Sequence, residues 1–174
     1  PEQFTYATAN DRLLQGMWIG VISIMIIYNL FLFSLLRDKS YLYYVLFAFS
    51  YLMFQTSLKG YGFAYLWPNQ VEWNSYAISV FIAASNFFAV VMVLSFLDFK
   101  KYSAAAYRYM KGASFIYGAL LLLTFITPYT LSVRVNSGMA AVACLVSIPA
   151  GYWSWYKGNA GARYFCLAWT AAFV

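Results

Sequence analysis

Residues 13–36 read LLQGMWIGVISIMIIYNLFLFSLL, and Arg37-Asp38-Lys39 follow at once. No charge interrupts the run. As a helix rising 1.5 Å per residue it spans roughly 36 Å, more than the ~30 Å hydrocarbon core of a bilayer. A helix of this length on a soluble protein would carry a polar stripe along one side, and this one has none. Each charge at the centre of a spanning helix costs ~2.5–3.5 kcal/mol on the insertion scale. A chain that threads lipid therefore excludes charge, as this one does. The competing reading is a helix buried inside a large soluble protein, and that reading has to explain every further run of the same kind.

Four more runs follow. Residues 40–58 stop at Lys59-Gly60, and residues 73–97 stop at Asp98. Residues 112–133 and 135–156 are separated only by Arg134, with Pro128 breaking the first of them near its end. A proline there predicts a tight turn at about residues 128–134. A sixth run opens at Tyr164, and the sequence stops inside it at Val174. The expected fold is an all-α, polytopic transmembrane helix bundle of five complete helices and the start of a sixth. Residues 1–12 are expected to form an extracytoplasmic juxtamembrane segment, and the chain, which begins at Pro1, is expected to be a piece of a longer one. The composition agrees: 64% hydrophobic, 22% aromatic and 9% charged, against about 25% charged in soluble domains.

Orientation follows from where cations gather, since Lys and Arg stay cytoplasmic. One set of loops holds Arg37, Lys39, Lys100, Lys101, Arg108, Lys111, Lys157 and Arg163; the other holds only Arg12, Lys59 and Arg134. Eight against three places the first set inside and the N-terminus outside. The net charge of +6 then reflects topology and an anionic inner leaflet, with no need for nucleic acid. Aromatic belts sit where helix ends would meet headgroups: Tyr41, Tyr43 and Tyr44 on the inner side, Tyr61, Tyr65, Trp67 and Trp73 on the outer side, and Trp153, Trp155 and Tyr156 inside again.

The first two helices and their connections carry a resemblance. Gly16 and Gly20 open helix one, Tyr28-Asn29-Leu30 lies within it, and the junction reads RDKSYLYY from Arg37 to Tyr44. Gly60-Tyr61-Gly62-Phe63 leads to Tyr65-Leu66-Trp67-Pro68, and Ala162-Arg163-Tyr164-Phe165 with Ala168-Trp169 opens helix six. This series resembles the membrane domain of bacterial seven-transmembrane receptors with diverse intracellular signalling modules, over about residues 13–174. The resemblance implies a bacterial inner-membrane receptor with a periplasmic sensory domain before helix one. It implies seven helices, so residues 13–174 would be a membrane domain cut within helix six. A cytoplasmic output module would follow: a histidine kinase, a diguanylate cyclase or a phosphatase, serving two-component or cyclic-di-GMP signalling.

Several residues have two readings each. The GxxxG pair Gly16 and Gly20 lets another helix approach closely, either in a homodimer or in ordinary bundle packing. Ser137 with Ala141, and the row Ala143, Ser147 and Gly151, repeat that spacing. Asn29 and Asn86 lie deep in helices one and three, where an amide needs a partner; each reads as an interhelical clamp or as a switch contact, with Gln55 a weaker candidate. Arg37, Asp38 and Lys39, together with Arg163, read as orientation signals or as charges that transmit motion. Lys100, Lys101, Arg108 and Lys111 read as a headgroup-binding loop. Tyr61, Phe63, Tyr65 and Trp67, in the outer loop of residues 59–72, read as contacts for a sensory domain or ligand, or as an interface belt. Pro149 reads as a hinge or a fixed bend.

The chain has no histidine, which removes the commonest general base and metal ligand. Its two cysteines, Cys144 and Cys166, lie in apolar runs and read as packing residues. No HExxH, paired aspartate or phosphate loop is present, so no catalytic centre, metal or cofactor is expected within these residues. The partners expected are the lipid bilayer, a sensory domain and an effector in the same chain, and a second copy. A transporter or channel is the alternative; it predicts matching polar or Gly/Pro interruptions at the midplane, and no such pair is evident. An integral-membrane acyl or glycosyl enzyme is a third reading, for which only Asp38 and Asp98 lie suitably on the inner side.

Overall fold

A computed structural model describes residues 2–97, 99–158, 162 and 166, with side chains from Arg12 onward except at Ser75, Lys101 and Tyr102. Among these residues there are six α-helices and no strand. They are α1 (Glu2–Leu36), α2 (Lys39–Leu58), α3 (Val71–Phe96), α4 (Phe99–Tyr102), α5 (Ala104–Leu123) and α6 (Tyr129–Tyr156), with a π-helical turn at Gly62–Leu66 between α2 and α3. Among the described residues, three segments are long and apolar enough to cross a membrane: Arg12–Leu36, Val71–Phe96 and Tyr129–Tyr156. α2 and α5 are more mixed, carrying tyrosines, serines and, in α5, Arg108 and Lys111.

α3 is the centre of the bundle and packs against α2, α5 and α6, while α1 leans chiefly on α2. The pattern of burial is that of a protein dissolved in hydrocarbon. Small polar side chains fill the interior: Ser50, Ser57, Ser79, Ser85, Asn86, Thr124, Asn136, Ser147 and Ser154 are all buried. Large apolar ones cover the outside, including Met17, Ile24, Ile27 and Phe31 on α1, Phe115 and Leu122 on α5, and Leu145 on α6. In water so large an apolar surface would drive aggregation. In lipid nothing is gained by hiding it, and small residues let helix backbones approach and hydrogen-bond.

Helix ends differ from the sequence expectation in three places. Backbone residues 2–12, expected to precede the membrane helix, continue α1 without a break. The turn between α5 and α6 comes earlier than residues 128–134: α5 ends at Leu123, the Thr124 and Thr127 hydroxyls fold back onto Leu120 O and Leu123 O, and Pro128 stands at the N-cap of α6. Proline suits that place, because helix starts have spare N–H groups. Arg134 thus lies inside α6 and does not separate two helices. At the other end α5 begins eight residues before Gly112, capped by Ser103 Oγ accepting from Ala106 N–H. Lys100 and Lys101 therefore lie on α4, and Arg108 and Lys111 on α5, where a loop was expected. Asp98, Arg163, Tyr164 and the rest of the sixth helix, apart from Ala162 and Cys166, lie outside the described residues.

The turn between α1 and α2 is built by two residues. Arg37 adopts φ 57, the left-handed conformation that ends a helix, and its N–H bonds Phe33 O at 2.8 Å. Asp38 then N-caps α2, its carboxylate accepting from Ser40 N–H at 2.9 Å. Asp38 is thus a capping residue, with its charge aimed at the positive end of the α2 dipole. Asp38→Ala is expected to lower stability by ~1 kcal/mol. Arg37→Gly is expected to raise it by up to ~1 kcal/mol, because glycine enters this conformation without a Cβ clash. Equilibrium unfolding of the purified protein in mixed micelles checks both; equal losses from the two variants would overturn the assignment.

Candidate functional site

At the end of the bundle opposite the cation-rich turns, α1 and α2 enclose a cavity of about 590 Å³. Leu14, Gln15, Trp18 and Ile19 line it from α1; Gln55, Thr56 and Lys59 line it from the end of α2, and Tyr61 closes the rim. The spacing explains the convergence. Positions three and four apart share a helix face, so 15, 18 and 19 face 55 and 59. Trp18 is seated edge-on against Tyr51, ring centroids 5.9 Å apart, and Tyr51 stacks on Phe47 at 6.1 Å. The amide nitrogen of Gln55 donates to the Tyr51 hydroxyl at 2.9 Å. Thr56 directs its hydroxyl into its own helix, onto Leu52 O at 2.9 Å and Met53 O at 3.1 Å. The cavity therefore combines aromatic walls with a Lys59 ammonium and the Gln15 and Gln55 amides. That set can hold a polar or anionic group joined to an apolar body.

The outer loop divides by function. Trp67 turns inward: its ring stacks on Phe81 at 6.4 Å, meets Trp73 edge-on at 6.5 Å, and its indole N–H donates to Asn74 Oδ1 at 3.3 Å. It is a packing keystone between the π-helical turn and α3. Tyr61 and Tyr65 stack at 6.4 Å. Tyr65 is exposed and Phe63 half-buried, and of the four loop aromatics Tyr61 alone lines the cavity.

Separate polar contacts join the other helices. Asn86 Nδ2, on α3, donates to Asn136 O of α6 at 2.8 Å, the interhelical clamp expected of it. Asn136 donates to Ser132 O at 2.9 Å, and its own Oδ1 is buried without a partner, as is Ser79 Oγ. Tyr117 O–H of α5 donates to Met139 O of α6 at 2.7 Å. Nearer the cation-rich end Ser40 and Ser95 hydroxyls join α2 to α3 at 3.0 Å, and Ser154 O–H reaches Leu97 O at 3.4 Å. Each bond of this type is modest, averaging about 0.6 kcal/mol in measured bundles. Together they tie α2 and α6 to α3, and α5 to α6.

Several expected contacts fall elsewhere. Asn29 bonds within its own helix: its amide donates to Met25 O at 2.8 Å. Among the described residues, Gly16 and Gly20 meet no atom within 4 Å of where a Cβ would stand. Ser137 and Ala141 face outward, whereas Ser147 and Gly151 are buried and Ala143 packs on the core. Pro149 is accommodated within a continuous α6. Asn136 escaped the sequence reading because a turn was expected to run to residue 134. One residue of helix is 100° of rotation, so the pair Ser137 and Ala141 lies off the stripe 132, 136, 143, 147, 151, of which the sequence marks only 143, 147 and 151. The i, i+4 pair Ser132 and Asn136, in step with Ser147 and Gly151, was the signal that could have found it.

A family model described as 7TM diverse intracellular signalling matches residues 11–174. No curated protein and no solved structure matches the chain.

Proposed function

Since the chain belongs to the 7TM diverse intracellular signalling family, a membrane signalling module, we propose that it couples an extracytoplasmic input to a cytoplasmic effector. The single observation that supports this most directly is the cavity between α1 and α2, lined by Trp18, Gln55 and Lys59. One of its walls, α2, packs along α3, which bonds α6 through Asn86. A ligand or a sensory domain that alters the α1–α2 separation changes how α2 sits on α3. α3 in turn holds α6 through Asn86, and α6 ends at Trp153 and Lys157 beside α4. Small shifts of packed helices are an established means of switching. The effector would be a histidine kinase, diguanylate cyclase or phosphatase in the same full-length chain, the sensory domain would precede α1, and a homodimer could form through the open Gly16/Gly20 face. The membrane would be the bacterial inner membrane, with the cation-rich end cytoplasmic.

Filling the cavity tests the coupling. Thr56→Trp in the full-length protein is expected to leave output activity fixed at one level, unresponsive to stimulus, while the outward-facing Ser137→Trp leaves the response unchanged. A normal stimulus response in Thr56→Trp at wild-type abundance would reject the proposal. Orientation is tested apart from this, with a membrane-impermeant thiol reagent on whole spheroplasts. Ala64→Cys is expected to be labelled from outside and Lys111→Cys only after lysis; the reverse pattern would invert the topology.

A further inference from the structure

At the cation-rich end, α4, α5 and α6 form an apolar groove of about 320 Å³, at the lower end of the ~300–1,000 Å³ range of ligand pockets. Phe99 and Met110 form its floor, and Tyr109, Pro149 and Trp153 its walls. Phe99 stacks on Trp153 at 6.5 Å, so floor and wall brace each other. Tyr109 is 81% exposed and Trp153 37%, large apolar rings standing open to their surroundings at a membrane edge. Among the described residues the charges around this apolar slot are cationic, and Asp98, the chain neighbour of Phe99, lies outside those residues. Lys157 Nζ lies over the Trp153 ring, 5.9 Å from its centroid. Lys100, Arg108 and Lys111 are the chain neighbours of Phe99, Tyr109 and Met110, and all three are exposed. The described carboxylate of this end, Asp38, caps α2 and is not part of this rim.

We propose that this groove is a binding site for one anionic phospholipid, its acyl chain lying on Phe99, Met110 and Trp153 and its phosphate among Lys157, Arg108 and Lys100. The apolar lining decides between a lipid and a free phosphate. A soluble anion would satisfy the cations and leave the aromatic walls bare, whereas a lipid covers both. The cations decide between anionic and zwitterionic lipid, because each Lys or Arg near an anionic headgroup contributes a factor of about five in affinity. The site touches α4, α5 and α6 together, so an occupied groove braces the end of the bundle that leads out of the membrane.

Native mass spectrometry of the full-length protein, released from micelles with equal phosphatidylglycerol and phosphatidylcholine, tests this. One phosphatidylglycerol is expected to be retained at least tenfold over phosphatidylcholine. Lys157→Gln, Arg108→Gln and Lys100→Gln are each expected to weaken retention about fivefold. Ala150→Trp, which fills the slot and keeps every cation, is expected to abolish it; Tyr109→Ala, at an exposed position that cannot disturb folding, is expected to weaken it several-fold. Soluble glycerol phosphate is expected not to displace the lipid. Equal retention of the two lipids, charge variants that change nothing, or full retention in both groove variants would overturn the proposal. So would displacement by glycerol phosphate, which would mark a site for the headgroup alone.

Discussion

Asn86→Asp is expected to destabilise the bundle by ~2.5–3.5 kcal/mol, the cost of a carboxylate at mid-helix on the insertion scale. Asn86→Leu is expected to cost only ~0.6 kcal/mol, and at most ~1.7 kcal/mol. The difference lies in what faces the side chain. Asn86 is buried, 8% exposed, and its amide N–H₂ meets the Asn136 carbonyl at 2.8 Å. Leucine removes the bond but leaves the Asn136 carbonyl inside its own helix ladder. Aspartate points an acceptor at an acceptor and adds a charge that lipid and Ser79, Ser85 and Asn136 cannot solvate. Nearby, Asn136 Oδ1 is already without a partner, so the site holds an unpaired acceptor before another is added. Unfolding in SDS titrations, and the fraction of protein that inserts, measure the order Asp far below Leu below wild type. If leucine proved as damaging as aspartate, Asn86 would be doing something other than bridging α3 to α6.

What the sequence made legible was governed by hydrocarbon. The absence of charge from residue 13 to 36, and again over residues 73–97 and 135–156, marked the spanning segments because lipid penalises each charge heavily. The asymmetry of eight cations against three made one end distinct for the same reason. Interior contacts were harder to read. Inside a lipid-dissolved bundle, hydrophobicity does not separate core from surface, so Ile24 and Leu145 outside look like Val90 and Val93 inside. Only small and polar residues carry the signal, and their reading depends on helix phase. A helix starting after residue 134 would have a different phase from α6, which starts at Tyr129 and buries Asn136 rather than Ser137. The α1–α2 cavity was half visible: Gln55 and Tyr61 were singled out, but Trp18 and Lys59 meet them only once α1 and α2 are paired in register. Trp67 was read as an interface aromatic like Tyr65, since both are aromatic in one loop, and only the π-helical turn makes one point inward.

Gly62→Val is expected to cost ~1–3 kcal/mol or more, the range for overpacking a fitted site, and to abolish any response that enters through the α1–α2 cavity. A Cβ on Gly62 would stand 2.7 Å from the Trp67 ring and 3.3 Å from the Cα of Ser57. Neither neighbour can yield cheaply. Trp67 is wedged between Phe81 and Trp73 and bonded to Asn74, and Ser57 is backbone at the end of α2. Gly62 O also accepts the Trp67 N–H at 3.1 Å, closing the π-helical turn. A branched side chain must therefore either push α2 away from the turn or expel Trp67 from α3. Both outcomes displace Tyr61, the rim of the cavity. Gly62→Ala is expected to show the same defect in milder form. Gly16→Ala, where no atom lies within 4 Å of the new Cβ, is expected to be neutral or to stabilise α1 by ~0.5–1 kcal/mol. Thermal unfolding of the three variants, with output of the full-length protein as the second readout, separates the cases. Should Gly62→Val unfold at the wild-type temperature, Trp67 is free to move, and the loop could not hold the cavity rim in place.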